Sequence, residues 1–415
     1  MPTRFTLSLL IAFAVLLGSV VALAQDSRQL SPDHLSKAHP RFATIAPRGH
    51  RNPGDGNATP GVDSLSNFNG SYKTTGFDTY GKLRNSWLYN MVGNPPQKGG
   101  TTTINAPVVP VALDLLKPDG TLFFHYDPKP FILATLQSPV FQNSTFTSSP
   151  TPTQITDAIQ RAEFWSTMAP DWHTVLLASL KQERTIQVPA AFYYYALKAN
   201  GKCCLFVLID GDEFGNLLFP ANATDTTTPI GAAENAGDIT TKDISTFLFP
   251  NTYLYFGSPN QDCCVLGFHS YDFEPGDASN GNKERRYVVN YSSWISPGLF
   301  GSGFQDVTAL SHEIAESFND PFVVSDNKHN LTPWWLAPNG NCQNNLEGGD
   351  VIEGLPRDTY PIQMNGMTYH PQNIALLPWF EFQYPSTAID GAYSYPDETT
   401  LPYLSPIQLP GCPVS

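Results

Sequence analysis

The chain has 415 residues, a formal net charge of −14 and a pI near 4.9. Nucleic acids and anionic membrane surfaces require basic patches, and a charge this negative argues against both, so we expect no nucleic-acid partner. Charged residues make up only 14% of the chain, while 37 prolines and 31 glycines indicate many turns and loops.

The first 24 residues have the features of a secretory signal peptide. Arg4 supplies a positive charge, residues 7–21 are largely apolar, and residues 22–24 read Ala-Leu-Ala, which fits a cleavage site. An uncleaved anchor helix is the alternative, but small and polar residues interrupt the apolar run and no basic patch follows it. We therefore predict a secreted or periplasmic protein with no stable membrane insertion after cleavage.

The remaining chain divides by composition into three parts. Residues 25–85 are rich in Pro, Gly, Asn, Ser and Asp and predict a low-order, extended leader. One main domain is predicted over residues 86–385, and a Pro-rich tail over residues 386–415. Predicted strands cover residues 108–113, 121–126, 191–197, 204–209, 252–256, 264–268 and 286–291, and a helix covers residues 153–168. This mixture predicts an α+β (mixed α/β) fold, in which a mixed sheet packs against a helix.

The cysteines predict disulfide bonds, because an even number follows a signal peptide. They are Cys203, Cys204, Cys263, Cys264, Cys342 and Cys412. The first adjacent pair could bridge the second, with Cys342 joined to Cys412, although six cysteines allow 15 connectivities. A thiolate metal site is disfavoured, since no C-x-x-C spacing occurs.

The most informative pattern is H-E-x-x-E, formed by His312, Glu313 and Glu316 within a predicted helix. Asp306 suits the N-cap of this helix, and Asp320 followed by proline suits its end. An apolar stripe facing the core is predicted at Val307, Leu310, Ile314 and Phe318.

Helical geometry brings the outer residues of this pattern together. His312 and Glu316 are about 40° apart in projection and roughly 6 Å apart along the axis, so both can reach one cation. Zinc accepts histidine nitrogen and carboxylate oxygen at similar distances, and Glu313 could serve as a general base. A solvated helix face carrying one histidine and two glutamates is the alternative.

Further ligands must come from elsewhere in the chain. Glu347 and Asp350 flank two glycines in an acidic turn. We predict Glu347 as the third ligand and Asp350 as the residue that orients the free nitrogen of His312; an ordinary acidic surface turn is the alternative. His269, at the end of a predicted strand, could be a fourth ligand or a transition-state donor, or simply a hydrogen-bonded residue at the core edge.

These blocks occur in an order that resembles the phosphate-induced/EXORDIUM family. Its plant members carry a C-G-W-H segment, then H-E-L-A-E, then E-I-G-D-L-C, and similar segments occur here over roughly residues 250–380. The resemblance implies an extracellular, cell-wall-associated protein with a zincin-like helix. The family's cysteine after E-I-G-D-L is Ile352 here, so that family's disulfide bond is not carried over.

Together these patterns predict a secreted, zinc-dependent, metallopeptidase-like hydrolase acting on a peptide or a cell-wall polymer. Glu313 would polarise the attacking water. An anionic Glu316 in place of a neutral histidine makes the site less positive, so we expect activity that is weak or directed at unusual substrates. The alternative is a non-catalytic extracellular or cell-wall-associated binding protein with a structural metal site. Trp334 and Trp335 could also bind carbohydrate, although packing is the simpler expectation.

Overall fold

The structure is a computed structural model that describes residues 28–31, 41–44, 65–197, 204–259, 263–276, 278, 282, 284–300, 303–323, 327–404 and 406–407. The predicted signal peptide, Cys203 and Cys412 lie outside these residues. None of the helices within the described ranges is long and apolar enough to cross a membrane.

The strands of the described residues are β1 (Arg41–Thr44), β2 (Asn67–Tyr72), β3 (Gly76–Phe77), β4 (Leu83–Arg84), β5 (Trp87–Val92), β6 (Thr101–Leu116), β7 (Leu122–Tyr126), β8 (His173–Leu180), β9 (Arg184–Val188), β10 (Tyr193–Leu197), β11 (Leu205–Asp210), β12 (Ile244–Pro250), β13 (Thr252–Tyr255), β14 (Cys263–Glu274), β15 (Arg285–Trp294), β16 (Leu331–Leu336), β17 (Cys342–Asn345), β18 (Ile362–Met364), β19 (Met367–Tyr369), β20 (Ile374–Ala375) and β21 (Ser394–Tyr395). The α-helices are α1 (Lys129–Leu136), α2 (Ile155–Glu163), α3 (Gly211–Leu218), α4 (Pro229–Asn235), α5 (Thr308–Asn319) and α6 (Leu377–Phe380).

One large mixed sheet organises the main domain and confirms the predicted α+β class. Its hydrogen-bonded order is β10-β11-β13-β14-β15-β12-β6-β7, with β1 beside β14 and with β8 and β9 beside β6. Some neighbouring strands are parallel (β11 with β13, β15 with β12, β12 with β6), and others are antiparallel (β10 with β11, β13 with β14, β14 with β15). The predicted strands at residues 108–113 and 121–126 are confirmed as parts of β6 and β7, which form an antiparallel pair.

Helices cover both faces of this sheet, which explains why its strands are apolar on both sides. Along β15 the side chains alternate, as strand geometry requires. Val288 packs in the core cluster that contains α2 and α5, whereas Tyr287 and Val289 pack in the cluster that contains α3 and α4. The strand β14, next to β15, therefore carries side chains toward α5 on one of its faces.

The ordered structure extends beyond the predicted boundaries of the main domain. The strand β2 pairs with β5 over its full length, and Leu65, Phe68 and Tyr72 are buried. The boundary near residue 86 thus falls within a paired region. Likewise, Ile389 and Tyr395 of the predicted tail are buried in the core cluster of α2 and α5.

The cysteine pairs do not bridge each other, contrary to the sequence-based expectation. The sulfur atoms of Cys263 and Cys264 contact each other as a vicinal pair. The strand β13 lies between β11 and β14, and strands two positions apart are separated by about 9–10 Å, farther than a disulfide bond can span. Cys204 and Cys342 each take part in a disulfide bond of their own.

The helix predicted at residues 153–168 is shorter in the structure, since α2 covers Ile155–Glu163. Its last residue, Glu163, is buried against α5 and accepts a hydrogen bond from Asn319 Nδ2 at 3.0 Å. Burial raises the pKa of the Glu163 carboxyl from 4.5 to about 8. The folded protein therefore retains a proton here that the unfolded chain releases.

Glu163→Gln should stabilise the protein at alkaline pH. A raised pKa in the folded state contributes stability that is fully present below pH 4.5 and is lost as the pH rises through about 8. Glutamine removes this loss, so the variant should match the wild type near pH 4.5 and exceed it at pH 8.5 by on the order of a few kcal/mol. Urea unfolding at both pH values, with the half-buried Glu183→Gln as control, measures the difference. Equal pH dependence in variant and wild type would contradict this prediction.

Candidate metal centre

The H-E-x-x-E residues lie on α5, which is buried on every side. All twelve of its residues are buried. The predicted apolar stripe is confirmed in the core cluster by Val307, Leu310, Ile314 and Phe318. Because the opposite face is buried too, His312, Glu313 and Glu316 do not form a solvated surface.

Asp306 does not cap this helix as predicted. The first helical residue is Thr308, and Asp306 lies two residues earlier with a φ of +47°. Its carboxylate instead accepts the backbone N–H of His370 at 2.9 Å and pairs with His370 Nδ1 at 2.7 Å. A partner 64 residues away in the chain thus replaces the local capping contact.

His312 faces two carboxylates with the same ring nitrogen. Its Nε2 lies 3.0 Å from Glu316 Oε2 and 3.5 Å from Asp350 Oδ1. The two carboxylates come from different segments, since Glu316 is on α5 and Asp350 follows β17 in the glycine-containing turn. All three side chains are nearly inaccessible to solvent.

His269, on β14, approaches the same cluster from the sheet. Its Nδ1 lies 3.4 Å from Glu313 Oε2 and 3.5 Å from Glu316 Oε2, and its Nε2 lies 3.8 Å from Glu347 Oε1. His269, Glu313 and Glu347 are each 0% exposed. The structure therefore brings together all six residues that the sequence singled out.

These buried groups could hold a metal ion. Two sets of three ligand atoms each lie within 4.8 Å of one another: His312, Glu316 and Asp350 form one, and His269, Glu313 and Glu316 form the other. Atoms bound tetrahedrally at zinc distances lie roughly 3.3 Å apart. The separations of 3.0–3.5 Å between each histidine nitrogen and its carboxylates are close to that value. Glu316 belongs to both sets.

Gln372, rather than Asp350, orients His312. The Gln372 side-chain N–H donates to Gly349 O at 2.9 Å, which leaves its Oε1 to accept from His312 Nδ1 at 3.0 Å. With the proton on Nδ1, the lone pair of Nε2 faces Glu316 and Asp350. Asp350 was predicted to orient His312, but it lies at Nε2, and Gln372 occupies the position at Nδ1.

Main-chain and amide groups of the acidic turn hold the carboxylates in place. Glu316 Oε1 accepts the backbone N–H groups of Gly349 and Asp350 at 2.9 and 3.2 Å, which leaves Oε2 directed at the two histidines. Asn345 Nδ2 donates to Glu347 Oε1 at 3.0 Å, and Gln343 Nε2 donates to Asp350 Oδ2. Glu347 belongs to neither set of three atoms, so its role as third ligand stays a prediction.

Two glycines permit the close packing of this cluster. A Cβ atom at Gly267 would lie 2.6 Å from Glu313 Oε1. A Cβ atom at Gly349 would lie 2.9 Å from His312 Cγ and closer still to Nδ1. The main chain must therefore be free of side chains where it passes Glu313 and His312.

Gly349→Ala should displace the His312 ring and weaken metal binding. The added methyl group overlaps the imidazole, so we expect metal affinity to fall by about 10- to 100-fold, as with other disturbances of ligand orientation. Titration with zinc in a competing-chelator assay measures the affinity. Gly120→Ala, in the turn between β6 and β7 with a φ of +81°, adds backbone strain without a steric clash and is the control. Unchanged affinity in Gly349→Ala would show that the ring has room to move.

Several atoms of the cluster have no hydrogen-bond partner among the described residues, although they are buried. They are His312 Nε2, Glu313 Oε1 and Asp350 Oδ1. Buried polar atoms are rarely left unsatisfied, because each costs roughly 1–3 kcal/mol. His312 Nε2 and Glu316 Oε2 are close but not aligned for a hydrogen bond with each other. A cation between the side chains would satisfy several of these atoms at once.

The pKa values of the clustered histidines and carboxyls are shifted by burial and by the many acidic groups nearby. Burial lowers the pKa of His312 to about 4 and, together with the neighbouring His312, that of His269 to about 3, so both rings are neutral as ligands must be. Burial and then mutual repulsion raise the pKa values of Glu313, Glu316 and Glu347 well above their usual range. A bound cation would offset the repulsion between these carboxylates.

Three neighbours of the cluster were not singled out from the sequence. Gln372 carries no local signal for its role, since its partner lies 60 residues away. Glu353 belongs to the same acidic turn and is nearly buried. Phe42 of β1 stacks on His312 with ring centroids 3.5 Å apart. Of the three, only Glu353 lies in the sequence segment of Glu347 and Asp350, which were already predicted to contribute to the site.

The two adjacent tryptophans differ in their exposure to solvent. Trp335 is 1% exposed and packs edge-on against Trp379 at 5.6 Å. Trp334 is half-buried, and its Nε1 donates to Asp78 O at 3.2 Å. Trp335 is therefore unavailable to a sugar ring.

Comparisons with protein-family models, with curated proteins and with solved structures gave no match.

Proposed function

We propose that this chain is a secreted, zinc-dependent hydrolase of the metallopeptidase type. One observation carries the proposal: two neutral histidines and four carboxylates converge in the interior, with several of their polar atoms lacking partners. His312, Glu316 and Asp350 would hold the cation, with His269 and Glu347 beside them. Two nitrogen donors and carboxylate oxygens suit zinc better than calcium or magnesium, which prefer oxygen alone.

A bound zinc ion would supply Lewis-acid activation of water and of a substrate carbonyl. The residues of this chain would do the rest. Glu313, next to His312 on α5, would take a proton from water. His312 would stay in one tautomer through Gln372, and Glu316 would stay in place through the backbone N–H groups of the acidic turn. The resemblance to the EXORDIUM family and the N-terminal sequence support an extracellular or periplasmic location and a peptide or cell-wall polymer as substrate.

Metal analysis of the purified chain tests the proposal. We expect about one zinc ion per chain or more, and hydrolysis of a peptide mixture that chelation abolishes and zinc restores. A wild-type protein without stoichiometric metal would sink the proposal.

A second candidate is a non-catalytic extracellular binding protein with a structural metal. The complete burial of the cluster and the stacking of Phe42 on His312 favour it, since catalytic sites keep an open position for substrate. Melting curves before and after chelation, together with the peptide screen, separate the candidates. Metal-dependent stability without turnover would favour the structural role.

A further inference from the structure

The strand β14 carries His269 and is paired on both of its edges at that point. Phe268 and His269 pair with β15 on one edge and, through Ala43 and Thr44, with β1 on the other. The strand β13 pairs with β14 only at Cys263 and Val265, so it does not cover this edge. Four residues from the N-terminal part of the chain therefore supply the main-chain partner beside His269.

The same short strand covers the metal cluster with a side chain. Phe42 is 7% exposed, and its ring lies nearly parallel to that of His312, with centroids 3.5 Å apart. It also stacks with Phe304 at 6.1 Å. Because Gly349 packs closely against His312 as well, the imidazole is enclosed by its neighbours.

Polar contacts add to this cover. The backbone N–H of Phe42 donates to the Glu353 carboxylate, and the charge of Arg41 lies near the same carboxylate. The segment thus places a positive charge beside a cluster of buried acids, in a chain with a net charge of −14. Main-chain pairing, an aromatic anchor and a matching charge are the elements by which an extended peptide adds to a sheet edge.

We propose that the edge of β14 at residues 265–269 is a binding site for an extended polypeptide strand, occupied in this structure by the chain's own Arg41–Thr44. Displacement of this segment opens the metal cluster, and a peptide with a basic residue followed by an aromatic residue takes its place. The inference rests on the proposed function, because it names the substrate class of that site. The strand is only four residues long, so a competing peptide that makes the same contacts can replace it.

Two readouts on the full-length chain test this inference. One is binding of a labelled synthetic peptide with the sequence of residues 39–46, and the other is the rate at which a chelator removes zinc. In Phe42→Ala we expect both peptide affinity and the zinc-removal rate to rise by about tenfold over wild type, because the internal competitor is weakened. The exposed Arg41→Glu should act in the same direction. Tyr80→Ala, which alters an aromatic residue that is 71% exposed, should behave as wild type.

The outcomes separate this inference from the proposed function. If Phe42→Ala and Arg41→Glu both match the wild type in peptide binding and in zinc removal, the inference is overturned while the hydrolase proposal stands. If the wild-type chain holds no zinc, the hydrolase proposal fails, and peptide binding alone still decides the inference. Arg41 is exposed, so its replacement keeps the test valid even if the loss of Phe42 disturbs folding.

Discussion

Glu316→Gln is expected to remove the metal from the purified protein. The Glu316 carboxylate belongs to both sets of ligand atoms, with Oε2 at 3.0 Å from His312 Nε2 and 3.5 Å from His269 Nδ1. Glutamine keeps the shape but loses the negative charge, and its N–H₂ group cannot bind a cation. We expect metal affinity to fall by more than about 100-fold, beyond the effect of disturbing an outer-shell residue.

Metal content measured by mass spectrometry after dialysis gives the result. Glu163→Gln is a matched control, because it also removes a buried carboxylate next to α5 but lies outside the cluster. It should retain the metal of the wild type. If Glu316→Gln retains it too, Glu316 is not a ligand and the central assignment is wrong.

Glu313→Gln is expected to keep the metal and lose the hydrolysis. The set formed by His312, Glu316 and Asp350 remains intact in this variant. Removal of a general base slows a reaction by about 10²- to 10⁴-fold, because water must then lose its proton without assistance. Parallel measurements of zinc content and of peptide hydrolysis give both quantities.

Glu163→Gln is again the matched control for this second variant. Glu163 is another buried carboxylate beside α5, but it belongs to neither set of ligand atoms. Its variant should keep most of the activity. Loss of metal in Glu313→Gln would instead show that Glu313 binds the metal, as a member of the set with His269 and Glu316. Undiminished hydrolysis would exclude Glu313 as the general base.

Sequence patterns over a few residues predicted the strands and the helix whose formation depends mainly on neighbouring residues. Runs of β-branched and aromatic residues between turns gave seven of the eleven strands of the central sheet, and the apolar stripe gave α5. The strands β1, β8, β9 and β12 of that sheet were not predicted. The strand β2 was missed because it reads Asn-Phe-Asn-Gly-Ser-Tyr, a polar segment that is held by pairing with β5. The predicted disulfide bonds between the two adjacent cysteine pairs were wrong. The strand order places β13 between β11 and β14, and strand order is a long-range property that local patterns do not give.

The candidate site, too, could be predicted from the sequence only in part. Ligand-type residues at helical spacing, and carboxylates beside glycines, marked the six residues that the structure brings together. Their individual orientations could not be predicted, because each depends on a partner distant in sequence. Gln372 accepts a hydrogen bond from His312 Nδ1, and Asp350 lies beside the other ring nitrogen, Nε2.

The cluster is assembled from separate strands and turns, and this has a consequence for preparing the protein. His269, His312, Asp350 and Gln372 meet only when β14, α5 and the acidic turn have all docked. An unfolded or partly folded chain cannot present this constellation, so zinc would bind the native state and shift the folding equilibrium toward it. The metal content of a preparation would then measure the fraction of molecules that have folded correctly, and zinc supplied during refolding would raise the yield.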